Sequence, residues 1–125
     1  MISNFVVNKE TQQIWDSKTL EERLKESRSI SAKYPDRIPV ICNRGPHSKI
    51  MPITKTKYLV PKELTPTQFL FIIRKRLSLD SKDGLFLFVN GSLPSSNTCF
   101  SDLYEQNKSE DGFLYVTYSE ESVFG

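Results

Sequence analysis

The sequence predicts an α+β domain of the β-grasp type, in which a four-stranded mixed sheet packs against one central helix and an extra helix precedes the first strand. Its 125 residues are about one domain's worth. Four short segments are rich in β-branched and aromatic residues, as strands are. One strongly capped helix separates the second strand from the third. In this topology the first and last strands lie side by side and parallel at the centre of the sheet.

The N-terminal part predicts an arm followed by a surface helix. Residues 1–13 show weak periodicity, and the arm extends over residues 1–17 and can contain a short helix. Thr19 followed three residues later by Glu22 is a capping box, so a helix begins there and runs to about Ala32. Its apolar stripe is thin, which is typical of a helix lying on a surface. Pro35 ends it, because the residue before a proline disfavours the α region.

Two strands follow the surface helix. Residues 37–42 (RIPVIC) and residues 57–61 (KYLVP) are short apolar runs. Pro39 has no N–H, so one face or edge of its strand must differ from an ordinary ladder. Cys42, inside the apolar run, is expected to be a small buried hydrophobic residue.

The central helix has the clearest start in the sequence. Thr65 fits the N-cap, Pro66 the first helical position and Gln68 the reciprocal cap. Leu64 and Phe69 occupy the two positions of a hydrophobic staple. Apolar residues then recur at helical spacing, which predicts that one face of this helix packs on the sheet.

The last third of the chain predicts two strands separated by a short helical turn. Residues 85–89 (LFLFV) form a continuous apolar strand, and Asn90-Gly91 turns the chain after it. Residues 100–104 suggest the helical turn. Residues 113–118 (FLYVTY) then form the final strand.

The charges are unevenly distributed. The formal net charge is +2, but residues 1–60 hold eleven Lys and Arg against six Asp and Glu, whereas residues 61–125 hold six against nine. A basic half can meet phosphates or acidic peptides, although a solvated surface is the commoner explanation.

Several classes of site find no support in the sequence. The two cysteines have no metal or redox spacing, and the single histidine, His47, lies in a turn without a nucleophile or a ligand set. We therefore expect no metal, no cofactor and no enzymatic activity. The run at residues 74–76 (RKR) indicates a solvated helix face rather than a nucleic-acid site. Lacking an apolar run long enough for a signal peptide or a membrane span, the chain is expected to be cytoplasmic, with any membrane attachment through a covalent anchor or a partner.

Six stretches, in order, resemble the ubiquitin-like modifiers of autophagy, the family of the GABA-receptor-associated protein and microtubule-associated light chain three. They are KYPDRIPVI, KYLVP, QFLFIIRKRL, LFLFVN, DLYE and EDGFLYVTYSEESVFG. The match covers roughly residues 18–125. It implies a ubiquitin-like domain with its N-terminal helix over residues 18–118, and a flexible conjugation tail over residues 119–125.

The resemblance implies that the tail is the reacting part. Activating and conjugating enzymes would join Gly125 to phosphatidylethanolamine on autophagosomal membranes, and a cysteine protease would release it. Glycine suits this step because it lacks Cβ and its carbonyl can be approached closely, while Phe124 would give partners an apolar grip. The implied location is the cytoplasm when free, then the autophagosome membrane and the vacuole or lysosome when lipidated. Whether Gly125 is the natural terminus or a trimmed one stays open.

The lysines beside KYLVP allow two interpretations. Lys55 and Lys57 could protect a strand edge from aggregation, or they could meet an acidic peptide that adds itself as another strand. The residues alone leave both open. The resemblance implies the second, with cargo receptors that carry an aromatic-x-x-aliphatic motif. Because strand side chains alternate between faces, the two anchors of such a motif need two pockets.

The resemblance assigns sixteen residues to this peptide site. The aromatic pocket takes Glu26, Ile30, Pro39, Ile41, Lys57, Leu59 and Phe113. The aliphatic pocket takes Tyr58, Val60, Pro61, Leu64, Phe69 and Ile72. The acidic flanks of the peptide would meet Arg37, Lys55 and Arg76. Burial in the core is the alternative explanation for Ile41, Leu59 and Phe69. We expect Leu59→Ala or Lys57→Glu to weaken such peptides severalfold while leaving the fold intact.

Two other functions compete with the modifier. One is a non-covalent trafficking or cytoskeletal adaptor. The other is a β-grasp sulfur carrier, although such carriers end in two glycines and lack the N-terminal helices. The chain also departs from the family pattern: Thr56 stands where the family often has a third lysine, and the arm before Lys18 is longer than usual.

Overall fold

The computed structural model describes residues 3–5 and 15–122. In chain order, these residues form β1 (Ser3–Phe5), α1 (Leu20–Lys33), β2 (Arg37–Arg44), β3 (Lys57–Pro61), α2 (Pro66–Arg76), β4 (Phe86–Val89), α3 (Phe100–Asn107) and β5 (Leu114–Ser119). Residues 15–17 are also helical.

The strands form one mixed sheet in the order β1-β3-β2-β5-β4. β2 and β5 run parallel, in a register that extends from Val40 opposite Leu114 to Arg44 opposite Tyr118. The other neighbouring strands pair antiparallel. The predicted β-grasp fold is therefore confirmed, with the first and last strands of the four-stranded body side by side and parallel.

A fifth strand joins the predicted four. β1 pairs antiparallel with β3, with Ser3 opposite Leu59 and Phe5 opposite Lys57. The arm therefore contributes a strand that the sequence did not predict, because a three-residue strand is too short to show a periodic pattern. Most of the remaining arm, residues 6–14, lies outside the described residues. The added strand covers the side of β3 that faces away from β2.

Both predicted capping boxes are present. At the start of α1 the Glu22 amide donates to the Thr19 hydroxyl, and the Thr19 amide donates back to the Glu22 carboxylate at 2.8 Å. At the start of α2 the same reciprocal pair joins Thr65 and Gln68. These bonds satisfy amides that a helix leaves without partners at its first turn, which explains why both starts were predictable.

Apolar side chains fill two clusters, one on each face of the sheet. The main core lies between the sheet and helices α2 and α3, where the Phe69 ring packs against Tyr58 at 5.5 Å and Phe100 at 5.2 Å between centroids. Cys42 belongs to this core, as expected, and burial raises the pKa of its thiol. The smaller cluster lies on the opposite face, beneath α1, and holds Trp15, Ile30, Ile41, Leu59 and Phe113.

Candidate functional site

The residues assigned to the aromatic pocket meet beneath α1. Ile30 of α1, Ile41 of β2, Leu59 of β3 and Phe113 pack in the smaller cluster. Pro39 is fully buried and lies opposite Leu59 in the pairing of β2 with β3. Ile41 and Leu59 are therefore buried core residues in this structure. The cluster that they form consists largely of the residues that the resemblance assigned to the aromatic pocket.

The two charged members of the assignment border this cluster. Glu26 of α1 accepts bonds of 2.9 Å from both Lys57 Nζ and Lys18 Nζ. Burial opposes the charge of Glu26, but the hydrogen bonds from the two ammonium groups outweigh it and leave the pKa of this carboxyl below its ordinary value. Glu26 therefore stays ionised and holds Lys57 against the pocket.

Trp15 fills the cluster, and the sequence reasoning missed it. The indole is 3% exposed and meets the edge of the Phe113 ring at 4.9 Å and 85°. Lys57 Nζ lies 4.1 Å from the indole centroid, within cation–π distance. The available signal was the chain's one tryptophan within an otherwise polar part of the arm.

Arg23 and Asp111 hold the surroundings of Trp15, and neither had been assigned a role. Arg23 Nη2 donates to the Trp15 carbonyl at 2.8 Å, and its guanidinium carbon lies 5.0 Å from the indole centroid. The buried carboxylate of Asp111 accepts from the Phe113 amide at 2.9 Å and from the Tyr115 hydroxyl at 2.5 Å. Burial and the Asp111 charge raise the pKa of that hydroxyl, so it remains a donor.

Most of the residues assigned to the aliphatic pocket are buried in the main core. Tyr58, Val60, Leu64 and Phe69 are buried, whereas Pro61 and Ile72 are partly exposed. The Tyr58 hydroxyl donates to the Lys55 carbonyl at 2.7 Å. Phe69 is therefore a core residue, and Pro61 and Ile72 are the members of the assigned aliphatic pocket that stay partly accessible.

The three basic residues assigned to acidic flanks each contact β3. Arg37 Nη1 donates to the Leu59 carbonyl at 3.3 Å, and the Arg76 guanidinium lies 5.8 Å from the centroid of the Tyr58 ring. Lys55 contacts Tyr58 through its carbonyl. The guanidinium groups of Arg37 and Arg76 therefore lie beside the strand that the peptide was expected to use.

The depth of Leu59 changes one expectation. This side chain is 3% exposed and packs in the smaller cluster. Truncating a buried leucine to alanine costs about 2–5 kcal/mol of stability, so Leu59→Ala should destabilise the fold as well as weaken peptide binding. Lys57→Glu remains the cleaner test of the site.

The beginning of the assigned conjugation tail is not free. Ser119 is the last residue of β5 and is buried, so the domain boundary at residue 118 falls inside a strand. The Glu120 carboxylate accepts from the Ser48 hydroxyl at 2.6 Å and from the Lys49 amide at 2.8 Å. Residues 121 and 122 are exposed, while Phe124 and Gly125 lie outside the described residues.

The Glu120 contacts predict a stability difference that depends on pH. Hydrogen bonds from Ser48 and the Lys49 amide lower the pKa of Glu120 to about 2 from an ordinary 4.5. The folded state therefore binds fewer protons at this site than the unfolded state, and the stabilisation is fully present above pH 4.5 and lost as pH falls towards 2. In denaturant unfolding at several pH values, the stability advantage of the wild type over Glu120→Gln should shrink across this interval. An advantage that did not change with pH would contradict the account.

The described residues contain neither a candidate membrane-spanning helix nor a candidate metal site. None of their helices combines the length and the apolar character needed to cross a membrane. Over the same residues, His, Cys, Asp and Glu side chains form no group of three or more that could hold a metal ion.

Comparison with known proteins gives concordant matches. The family model "Autophagy protein Atg8 ubiquitin like" matches residues 22–125. The chain is 50% identical over 113 residues to Autophagy-related protein 8 of Schizosaccharomyces pombe, covering 90% of this chain and 93% of that one. Its structure is similar to the crystal structure of Trypanosoma brucei ATG8, with a TM-score of 0.80 and 38% identity over 87% of this chain and 94% of the other. The chain therefore belongs to the Atg8 family of ubiquitin-like autophagy proteins.

Proposed function

We propose that this protein is a ubiquitin-like modifier that becomes joined through Gly125 to phosphatidylethanolamine on autophagosomal membranes. The observation that supports this most is the position of β5, which lies between β2 and β4 and carries the chain towards Gly125. A strand paired on both sides gives the residues after it a rigid base, and the family match extends to residue 125.

The chemistry requires only an electrophile from this chain. The Gly125 carboxylate would be activated as an acyl-adenylate and transferred to a cysteine of a partner enzyme as a thioester. The lipid amine then attacks the thioester carbonyl, the partner thiolate leaves, and an amide forms. The catalytic cysteines, including that of the deconjugating protease, belong to other proteins, so this chain is a substrate of the reaction and not its enzyme.

Conjugation would change the location of the protein without refolding it. Each buried CH₂ contributes about 0.8 kcal/mol to membrane binding, so that one acyl chain binds marginally and two anchor firmly. A phospholipid supplies two chains. The free protein would be cytoplasmic, and the conjugate would stay on the autophagosome membrane until it reaches the vacuole or lysosome.

The second half of the proposal is the recruitment of receptors with aromatic-x-x-aliphatic motifs. The smaller cluster with Lys57 and Glu26 at its border supports an aromatic site, and the partly exposed Pro61 and Ile72 support an aliphatic one. Burying two apolar anchors contributes about 1.5–3 kcal/mol each. With strand pairing added and peptide ordering subtracted, an affinity in the micromolar range, about −8 kcal/mol, is expected.

Reconstitution tests the conjugation half. The chain is incubated with the activating and conjugating enzymes of the autophagy ubiquitin-like system, ATP and liposomes that contain phosphatidylethanolamine. We expect a lipid adduct by mass spectrometry and flotation with the liposomes. No adduct in a mixture that conjugates a known family member would contradict the proposal. A terminal replacement of oxygen by sulfur would instead support the sulfur carrier, and peptide binding without any adduct would support the adaptor.

Lys57→Glu tests the peptide half. The change removes an attraction for acidic flanks and places a second carboxylate beside Glu26, so binding of an acidic aromatic-x-x-aliphatic peptide should weaken about five- to tenfold, or roughly 1 kcal/mol. Titration calorimetry measures the affinity, and the matched control is Lys82→Glu, which makes the same charge change at an exposed loop residue. Equal affinities of the two variants would remove Lys57 from the site.

A further inference from the structure

Two described parts of the N-terminal segment (residues 1–17) occupy the features that a peptide ligand would use. Its strand β1 lies on the edge of β3, and its Trp15 lies in the smaller cluster. We propose that this segment is a built-in competitor, which a receptor peptide must displace before it can bind. The inference rests on the proposed peptide-binding function and adds a regulation to it.

The first step concerns the backbone. β3 has a partner strand on each side: β2 pairs from Pro61 to Lys57, and β1 pairs on the other side over Leu59, Tyr58 and Lys57. A peptide that binds by strand addition needs a free row of N–H and C=O groups on one edge. β2 cannot leave, because it is also paired with β5 at the centre of the sheet. β1 is therefore the strand that must leave.

The second step concerns the side chain. The resemblance assigned the cluster of Ile30, Ile41, Leu59 and Phe113 to an aromatic ligand residue, and Trp15 packs there with 3% of its surface exposed. Lys57, which would face the peptide, instead has its ammonium 4.1 Å from the Trp15 ring centroid. An external aromatic side chain and Trp15 cannot occupy this space together.

Two contacts of the N-terminal segment are weak enough for a peptide to displace it: those of the indole N–H and the pairing of β1. The indole Nε1 is buried and makes no hydrogen bond of ordinary geometry, and the Tyr115 hydroxyl is its polar neighbour. Leaving the pocket therefore breaks at most a weak hydrogen bond of the indole and exposes its N–H to water. The pairing of β1 covers only three residues, and short two-stranded pairings are marginal by themselves. The family model begins at residue 22, whereas the match to the Schizosaccharomyces pombe relative spans 113 residues and so includes Trp15.

The segment would lower the apparent affinity for peptides according to how often it is displaced. We call a molecule open when β1 and Trp15 have both left the peptide site. A ligand that binds only the open form shows an apparent Kd equal to its intrinsic Kd divided by that fraction. A segment that is closed in nine molecules out of ten would therefore weaken binding about tenfold. Removing either β1 or the Trp15 indole should therefore recover the lost affinity.

Trp15 reports on its own displacement, because it is the only tryptophan in the chain. The full chain is titrated with a tryptophan-free peptide that carries acidic residues followed by Tyr-x-x-Leu. Excitation at a wavelength that selects tryptophan should show emission moving to the red as the indole enters water, with the same midpoint as calorimetry. Saturation by calorimetry with unchanged emission would overturn the proposal.

Variants of the full chain give an independent readout. Trp15→Ala should bind the peptide about tenfold more tightly, whereas Trp15→Phe, which keeps an aromatic occupant, should stay near the wild type. Replacing residues 3–5 by prolines removes the donors of β1 and should tighten binding with Trp15 still present. Leu20→Ala, an exposed change at the start of α1, is the control and should change nothing.

The outcomes separate the competitor from the site itself. If Trp15→Ala is folded by circular dichroism and binds no more tightly than the wild type, Trp15 is an ordinary core residue and the competitor is refuted. The proline variant decides the same question if Trp15→Ala does not fold. Equal binding by all variants removes only the competitor, whereas no binding by any of them refutes the proposed peptide site and the competitor with it.

Discussion

Replacing Gly112 with alanine should lower the free energy of unfolding by about 3 kcal/mol. Gly112 has φ +84°, a backbone conformation that residues with a side chain rarely adopt, and this part of the cost is about 1–2 kcal/mol. A Cβ at this position would also lie 2.3 Å from Ser27 Oγ and 2.9 Å from Ser27 Cβ. Overpacking of this kind adds about 1–3 kcal/mol.

The neighbours of Gly112 cannot move away without breaking other bonds. Ser27 Oγ donates to the Asp111 carbonyl at 2.7 Å, which ties α1 to the turn before β5. The Tyr104 hydroxyl of α3 donates to the Gly112 carbonyl at 2.7 Å. A shift of Ser27 would move α1, one wall of the smaller cluster, so the variant should also bind receptor peptides less tightly.

Denaturant unfolding measures this loss, and Gly91→Ala is the matched control. Gly91 has a similar φ of +75° but lies in an exposed turn. Its replacement should cost only the backbone part, about 1–2 kcal/mol. Equal losses at the two glycines would contradict the role given to Ser27.

Replacing Gly125 with alanine should slow lipid attachment by about 100-fold or more. The added Cβ restricts the backbone and blocks close approach to the carbonyl that must react. Displacing a reacting group by about 1 Å can cost this much in rate. Single-turnover conjugation to liposomes, followed by mass spectrometry, measures the effect.

Two controls accompany the Gly125 variant. Ser122→Ala changes an exposed residue of the same tail and should conjugate at the wild-type rate. Peptide affinity of the Gly125→Ala variant should be unchanged, because the residues of the peptide site lie on the sheet and its helices. Conjugation of Gly125→Ala at the normal rate would show that the terminal residue is not held in a narrow channel.

Local signals made most of the fold predictable. Each capping box involves residues three apart, and Asn90-Gly91 has the two positive φ values of its predicted turn. The parallel pairing of β2 with β5 followed from the order of elements. The missed features have partners far away in sequence: β1 pairs with β3, Trp15 packs on Phe113, and Glu120 binds the loop at residues 48–49. No window of the sequence contains both members of such pairs.

The sequence predicted which face of the sheet each β3 side chain enters, but not how deeply each side chain is buried. Strand alternation correctly separated Lys57 and Leu59 from Tyr58 and Val60. The latter two enter the main core, whereas Leu59 enters the smaller cluster and Lys57 borders it. How far each side chain is covered depends on helices and on Trp15, which pack from outside the strand. A pattern along β3 therefore could not distinguish the rim of a pocket from its floor.

The parallel register of β2 and β5 also determines how the molecule responds to mechanical force. A membrane tether at the C-terminus would pull β5 along its own axis, while β2 on one side and β4 on the other resist its sliding. In this shear geometry the ladder bonds share the load and must break together, whereas a strand peeled from an edge loses them one at a time. A conjugate tethered through Gly125, as proposed, would therefore be loaded in shear along β5 and not by peeling from an edge.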